Sequence, residues 1–303
     1  MTRVPHPIPY QGSKRLLAKV ILDHVPGGIR CLVEPFAGSA ATTLAAASRR
    51  LAERYWIGDS LGPLVEIWKN IIERPLEFAD DYERIWEAQR SDPRTHYLSV
   101  RRQFNEERQP AQLLYLLARC VKNAVRFSSS GEFNQSADHR RSGMHPKKMR
   151  HEIRGASALL RGKTEALSGD YQGLLEQATA NDLVYMDPPY QGVSDARDPR
   201  YFQQLDFDRL MASLDRLNIK NVPFLLSFDG TCGTRTYGKP LPEELHLRRV
   251  LIHTGKSSQA TLNGEDAETV ESLYVSPAIR KNGSLYYSVA ASEVEDRQLS
   301  LLA

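Results

Sequence analysis

The apolar run Leu183-Val184-Tyr185-Met186 passes directly into Asp187-Pro188-Pro189-Tyr190-Gln191. That junction constrains the fold more than any other stretch. A short apolar run bounded by breakers reads as a buried strand that stops at a loop. In open α/β sheets, ligands bind beyond the carboxyl ends of the strands. The junction therefore sets a carboxylate, a stiff backbone and a flat π surface at an expected active-site edge. Each proline lacks an N–H and has a fixed φ, and Pro189 also restricts Pro188. The carbonyls of Asp187 and Pro188 are thus held with few local donors, and an ionised Asp187 only accepts hydrogen bonds. Rigid acceptors beside the ring of Tyr190 suit a planar group carrying an exocyclic amine. Taken alone, a plain turn with Asp187 capping and Tyr190 packing is the simpler account.

Other strand-to-loop junctions weigh against that simpler account. Pro9-Tyr10-Gln11-Gly12-Ser13-Lys14 precedes a helical pattern over 15–24, with Leu16, Leu17, Val20 and Ile21 on one face. A Gly-Ser loop opening a helix, with a lysine at the joint, suits an anionic group such as a carboxylate. Cys31-Leu32-Val33-Glu34 reads as a buried strand, Pro35-Phe36-Ala37-Gly38-Ser39-Ala40 as a glycine turn and 41–55 as an alanine-rich helix. Strand, glycine turn and helix open a nucleotide-type α/β unit, and the small residues let a ligand approach the backbone. The strict dinucleotide fingerprint is absent, which disfavours a nicotinamide cofactor. A second strand over 55–58 ends at Asp59. That is about 20 residues past the glycine turn, where Rossmann-type folds hold ribose hydroxyls with an acid. Capping a helix over 60–72 is the competing role for Asp59. Helices are also expected at 76–89, 112–126, 171–178 and 206–217, and strands at 222–228, 245–252 and 271–275. A polar loop fills 255–268.

The net charge of +3 conceals an asymmetry. Residues 101–163 hold 14 lysines and arginines against 5 acids, a balance of +9, which leaves the remainder at −6. Such a contrast points to a polyanionic partner for one region. Within it, the 112–126 pattern puts Leu113, Leu116, Leu117 and Val121 on one side of a helix. Arg119, Lys122, Asn123 and Arg126 fall on the other. A hydroxyl-rich loop with two aromatics, from Phe127 and Ser128 to Phe133 and Asn134, follows. Then comes a basic stretch through Arg140, Arg141, Lys147, Lys148 and Arg150. Cations, hydroxyls and aromatics together suit phosphate and base contacts. The three cysteines have no metal-ligand spacing and read as reduced thiols. No run approaches the ~18 apolar residues of a membrane span, and the first residues lack a signal-peptide pattern.

Taken together, these elements resemble the Dam-type, α-class family of DNA adenine-N6 methyltransferases. Three spaced motifs carry the likeness: Pro9-Tyr10-Gln11-Gly12-Ser13-Lys14, Glu34-Pro35-Phe36-Ala37-Gly38-Ser39 and Asp187-Pro188-Pro189-Tyr190. Two positions depart from the family pattern: Tyr10-Gln11 stands where the family has a tryptophan-containing loop, and Ala40 replaces a glycine. The resemblance implies a Rossmann-like, S-adenosylmethionine-dependent α/β methyltransferase fold with a mostly helical recognition insertion. The catalytic domain would span 1–75 and 156–303, and the DNA-recognition region 76–155. Tyr10 and Lys14 would meet the methionine part of the cofactor, Lys14 at its carboxylate. Glu34, Phe36 and Gly38 would wall the cofactor, Asp59 would take its ribose end, and Asp170 and Tyr171 would hold its adenine. Asp187, Pro188, Pro189 and Tyr190 would act on a flipped adenine. Arg119, Lys122, Asn123, Arg126, Ser128, Asn134, Arg140, Arg141, Lys147 and Lys148 would contact double-stranded DNA. No metal is expected. A cytoplasmic, nucleoid-associated monomer, with or without a separate cognate restriction endonuclease, completes the expectation. Cytosine-N4 or RNA adenine methylation, and a DNA-binding protein without catalysis, remain as alternatives.

Overall fold

The computed structural model describes residues 3–189, 205–232, 235–237, 241–256 and 268–279. Five parallel strands form the centre: β1 (Ile29–Glu34), β2 (Ala52–Asp59), β3 (Thr164–Ser168), β4 (Asp182–Met186) and β5 (Phe224–Cys232). Short β6 (Arg235–Tyr237) pairs antiparallel with β5, as does β8 (Glu268–Val275), which in turn carries the antiparallel β7 (Arg248–Lys256). The sheet order is β3-β2-β1-β4-β5-β8-β7. The chain runs from β1 outward to β2 and β3, then returns to the opposite side of β1 as β4. The crevice between β1 and β4 is therefore the topological switch point, where α/β sheets bind ligands.

Two-residue periodicity decides which side chains face which layer. Leu32, Leu183 and Tyr185 join one core with Tyr55 and Ile57. Cys31, Val33, Val184 and Met186 join the other with Phe224 and Leu226. Both faces are covered, so β4 is buried along its whole length and reads, after Asp182, as a continuous apolar run. The first face is packed by α1 (Ala18–Leu22), α2 (Ala41–Arg49), α3 (Gly62–Glu73), α4 (Pro75–Glu87), α5 (Pro93–Glu107), α6 (Pro110–Arg119) and α7 (Pro146–Leu160). The second is covered by α8 (Tyr171–Gln177) and α9 (Phe207–Ile219). The helical segment after α3 shares the first core, through Leu113, Leu116, Met149 and Ile153.

Several expected elements change. The alanine-rich helix stops at Arg49, because Arg50 turns left-handed at φ 55°, and β2 already begins at Ala52. A helix over 93–107 is absent from the sequence reading. Pro93 stands at its first turn and the Asp92 carboxylate caps the N–H groups of Arg94 and Thr95. The helix expected over 112–126 ends at Arg119. Cys120 is extended and bridges Ala137, and Lys122 and Asn123 adopt φ of 58° and 52°. The cationic stripe read there as one helix face is therefore spread over a helix end and an irregular loop. Among the described residues no helix is long and apolar enough to cross a membrane.

Candidate active site

The motif residues converge on the carboxyl ends of β1, β2, β3 and β4. Gly12, at φ 81°, makes the turn that returns the Ser13 N–H to the Tyr10 carbonyl at 3.3 Å. The Ser39 hydroxyl donates to Ser13 Oγ at 2.7 Å, fastening this loop to the glycine turn. Gly38, at φ 48°, lies beneath the Tyr10 ring, and a Cβ there would stand 3.0 Å from Tyr10 Cε1. Its N–H donates to Asp59 Oδ2 at 3.0 Å, and its carbonyl accepts from Trp68 Nε1 at 3.0 Å. Asp59 Oδ1 also accepts the Leu61 N–H at 2.9 Å. Asp59 thus ties the glycine turn to the start of α3, and burial pushes its pKa up. Both its carboxylate oxygens already serve the backbone that shapes the pocket floor.

On the β3 side, Asp170 caps α8 by accepting the Gln172 N–H at 2.9 Å, and its other oxygen pairs with Arg209 at 3.0 Å. The rings of Phe36 and Tyr171 stand 5.0 Å apart, tilted by 33°. They form an aromatic pair next to the glycine turn, Phe36 partly exposed and Tyr171 buried.

The centre is an ion pair between residues 173 positions apart. Lys14 Nζ donates to Asp187 Oδ1 at 2.7 Å and to Oδ2 at 2.9 Å. Glu271 Oε2 of β8 lies 3.6 Å from the same ammonium. Lys14 is 10%, Asp187 19% and Glu271 23% exposed, so the cluster is shielded and screened little by salt. Behind it, Glu34 is buried and accepts the N–H and hydroxyl of Thr43 at 2.9 and 2.5 Å. Burial, opposed by those Thr43 bonds and aided by the Asp187 charge, pushes Glu34 up to about 8. Glu34 therefore keeps its proton where Asp187 takes the lysine. The Tyr185 hydroxyl meets Ser227 Oγ at 3.1 Å, and burial holds it far above the usual phenol range. Glu271 and Tyr185 were not singled out from sequence. From sequence, Glu271 stands out as the one charge in the strand expected over 271–275. Pro188 is buried at the strand end beside partly exposed Pro189. Tyr190 lies outside the described residues.

The basic region divides into scaffold and surface. Arg119 is 2% exposed and donates to the carbonyls of Asp138, at 2.8 Å, and Arg141. It is a strut inside the loop rather than an exposed cation. The Arg140 N–H, with the Arg140 and Arg141 side chains, holds Asp138 down to about 2. Arg141 also donates to the Cys120 carbonyl at 3.2 Å. Phe127 and Phe133 bridge each other in the loop and are buried, with their rings 5.6 Å apart edge to face. The two aromatics read as base contacts are therefore anchors. Lys122, Asn134, Arg140, Arg141, Lys147 and Lys148 are exposed, while Asn123, Arg126 and Ser128 are partly so. Asn123 gives its amide to the Leu117 carbonyl at 2.7 Å. Burial pushes both described thiols, Cys31 and Cys120, up to about 12, so neither is poised as a nucleophile.

With this geometry in place, comparison with known proteins is specific. The family model described as D12 class N6 adenine-specific DNA methyltransferase matches residues 10–218. The retron Ec67 DNA adenine methylase of Escherichia coli is 24% identical over 83% of this chain and 87% of its own length. The DNA adenine methylase of Haemophilus influenzae is 27% identical over 60% of this chain and 62% of its own length, less than two thirds of that protein. The type II methyltransferase M.MjaIII of Methanocaldococcus jannaschii is 24% identical over 80% of this chain and 89% of its own length.

Proposed function

The chain belongs to the D12 class of N6 adenine-specific DNA methyltransferases, and from that premise we propose how its residues carry a methyl group from S-adenosylmethionine to adenine in double-stranded DNA. The observation that carries the assignment of residues is the Lys14–Asp187 pair at the switch point.

The residues suit the cofactor. Lys14 supplies a cation for its carboxylate, and the backbone at Gly38 leaves no Cβ between the Tyr10 ring and the pocket floor. The Phe36 and Tyr171 rings suit its adenine, with Asp170 at their edge. Asp59 acts at the ribose end partly through the glycine turn it holds. When bound, S-adenosylmethionine supplies a methyl group already activated on a sulfonium, whose electron pair returns to sulfur as the bond to carbon breaks.

The chain's own work is orientation and charge. The target adenine leaves the helix to reach the site. Asp187 and the Pro188 carbonyl accept hydrogen bonds from its amine and direct the nitrogen lone pair toward the methyl. As the nitrogen gains positive charge, the fixed carboxylate stabilises it. Alignment within a closed site contributes much of the remaining acceleration. The extra proton leaves the nitrogen after the bond to carbon forms, so no strong base is required. Tyr190 stacks on the flipped ring, worth about 1–3 kcal/mol.

Residues 76–155 form the DNA-recognition region and 1–75 with 156–303 the catalytic part. Lys122, Asn123, Arg126, Ser128, Asn134, Arg140, Arg141, Lys147 and Lys148 meet the DNA, while Arg119 braces the loop that presents them. The protein acts as a monomer on DNA in the cytoplasm. A separate cognate endonuclease is consistent with a relative named as a type II methyltransferase. Incubation with labelled S-adenosylmethionine and unmethylated DNA, followed by nucleoside analysis, tests the reading. N6-methyladenine is the expected product; label in N4-methylcytosine, or none in DNA, contradicts it.

A further inference from the structure

Asp187 is asked to accept the adenine amine, yet Lys14 occupies a lone pair on each of its oxygens at 2.7 and 2.9 Å. The lysine has a second effect. Its charge cancels the negative charge that the developing nitrogen cation requires. Each oxygen keeps a second acceptor site, so the pair has to loosen for the carboxylate's charge, rather than its hydrogen-bonding capacity, to reach the amine. A buried ammonium does not leave one carboxylate without another acceptor, because an unpaired charge in a shielded site is costly.

Besides the cofactor carboxylate assigned to Lys14 above, one such acceptor is at hand within the chain. Glu271 Oε2 stands 3.6 Å from Lys14 Nζ, close enough to receive it by a small side-chain movement. The backbone that carries Glu271 is held firmly. In register, Glu271 pairs with Gly230 of β5 and with Ile252 of β7, where the β5–β8 ladder resumes after an irregularity between Ser227 and Gly230. A Cβ at Gly230 would stand 2.5 Å from the Val270 carbonyl, so only glycine admits β8 at this distance.

We propose that Glu271 is a positioning residue that draws the Lys14 ammonium off Asp187 as the target amine enters. Asp187 then regains its charge for the amine, while Lys14 stays neutralised. Glu271 touches neither base nor methyl; it acts through Lys14. The inference rests on the assignment of Asp187 to the amine.

The test uses the full chain, S-adenosylmethionine and a DNA duplex, with Glu271→Gln, Glu271→Asp, Lys14→Gln and the Lys14→Gln/Glu271→Gln double variant. Glu271→Gln is expected to lower kcat by about tenfold or more, in the range of coupling between contacting residues, while KM for DNA changes little. Glu271→Asp, which keeps the charge, recovers part of the loss. The double variant is no slower than Lys14→Gln alone. An unchanged kcat in Glu271→Gln overturns the proposal, as do losses that add in the double variant. A drop in melting temperature with no rescue by aspartate also overturns it, in favour of a structural role. If Asp187→Ala keeps full activity, the site assignment fails instead. If Asp187→Ala is inactive while Glu271→Gln is normal, only the role of Glu271 fails.

Discussion

The backbone N–H of Gln11 donates to the carbonyl of Asn123 at 2.9 Å, so the loop that carries Lys14 is tied to the loop that follows α6. The tie uses a strained segment. Lys122 and Asn123 both hold left-handed backbone, at φ 58° and 52°. That costs an ordinary residue about 1–2 kcal/mol. Glycine removes the strain but loses about 0.5–1 kcal/mol of its own to chain entropy. Lys122→Gly is therefore expected to leave the melting temperature unchanged or slightly raised. It should weaken DNA binding and shorten the salt slope by about one contact. A destabilised variant with unchanged salt dependence would place Lys122 in the fold rather than on the DNA.

Glu34 makes stability depend on pH. Its native pKa of about 8 lies far above the ~4.3 of a free glutamate. Between those values the native state holds a proton that the unfolded chain has lost. The contribution is fully present below the unfolded value and is lost as pH rises through about 8. Glu34→Gln keeps an acceptor for Thr43 and removes the titration, so its melting temperature should lose that decline between pH 5 and 8. His6 acts in the opposite sense at lower pH. Burial lowers it from 6.5 to about 4, so its contribution is present above 6.5 and is lost toward 4 in both proteins. A Glu34→Gln profile parallel to that of the wild type above pH 5 would refute the assignment.

Phe133 anchors the loop from below. It is 1% exposed and packs edge-on against both Phe104 and Phe127. Its removal to alanine should cost about 3–5 kcal/mol, with DNA affinity falling as the segment carrying Ser128 and Asn134 loosens. Denaturant unfolding measures the first and a binding titration the second. A loss of DNA affinity without any loss of stability would mean that the ring touches the DNA itself.

How much of this was legible in sequence follows from where the information lies. The strand Leu183–Met186 and the three motifs were readable because an apolar run meeting breakers is a local signal. The pair of Lys14 with Asp187 was not, since sheet topology joins them across 173 positions. α5 went unread because only Tyr97, Val100 and Phe104 of its fifteen residues are buried. The 112–126 pattern continued past Arg119 as a helical period. It failed because the bridge from Cys120 to Ala137 competes for the backbone. Arg119 looked like a surface cation because periodicity cannot see the carbonyls that surround it.

Lys147 and Lys148 are exposed in the first turn of α7, where cations oppose the helix dipole. Their exposure at a helix end that favours negative charge fits an external anion. Lys147→Glu with Lys148→Glu should weaken DNA binding and reduce the salt slope by about 1–2 contacts, since each neutralised phosphate adds ~0.9. Thermal stability should not fall. An unchanged slope removes these lysines from the DNA surface.

The most direct measurement compares wild type with Asp187→Ala for two quantities on the same duplex: N6-methyladenine formed per enzyme and affinity for the DNA. The carboxylate is assigned to the amine and not to the phosphate backbone. The variant should form no detectable N6-methyladenine while binding DNA about as well as wild type. Full methylation by Asp187→Ala would contradict the assignment of the amine to this residue.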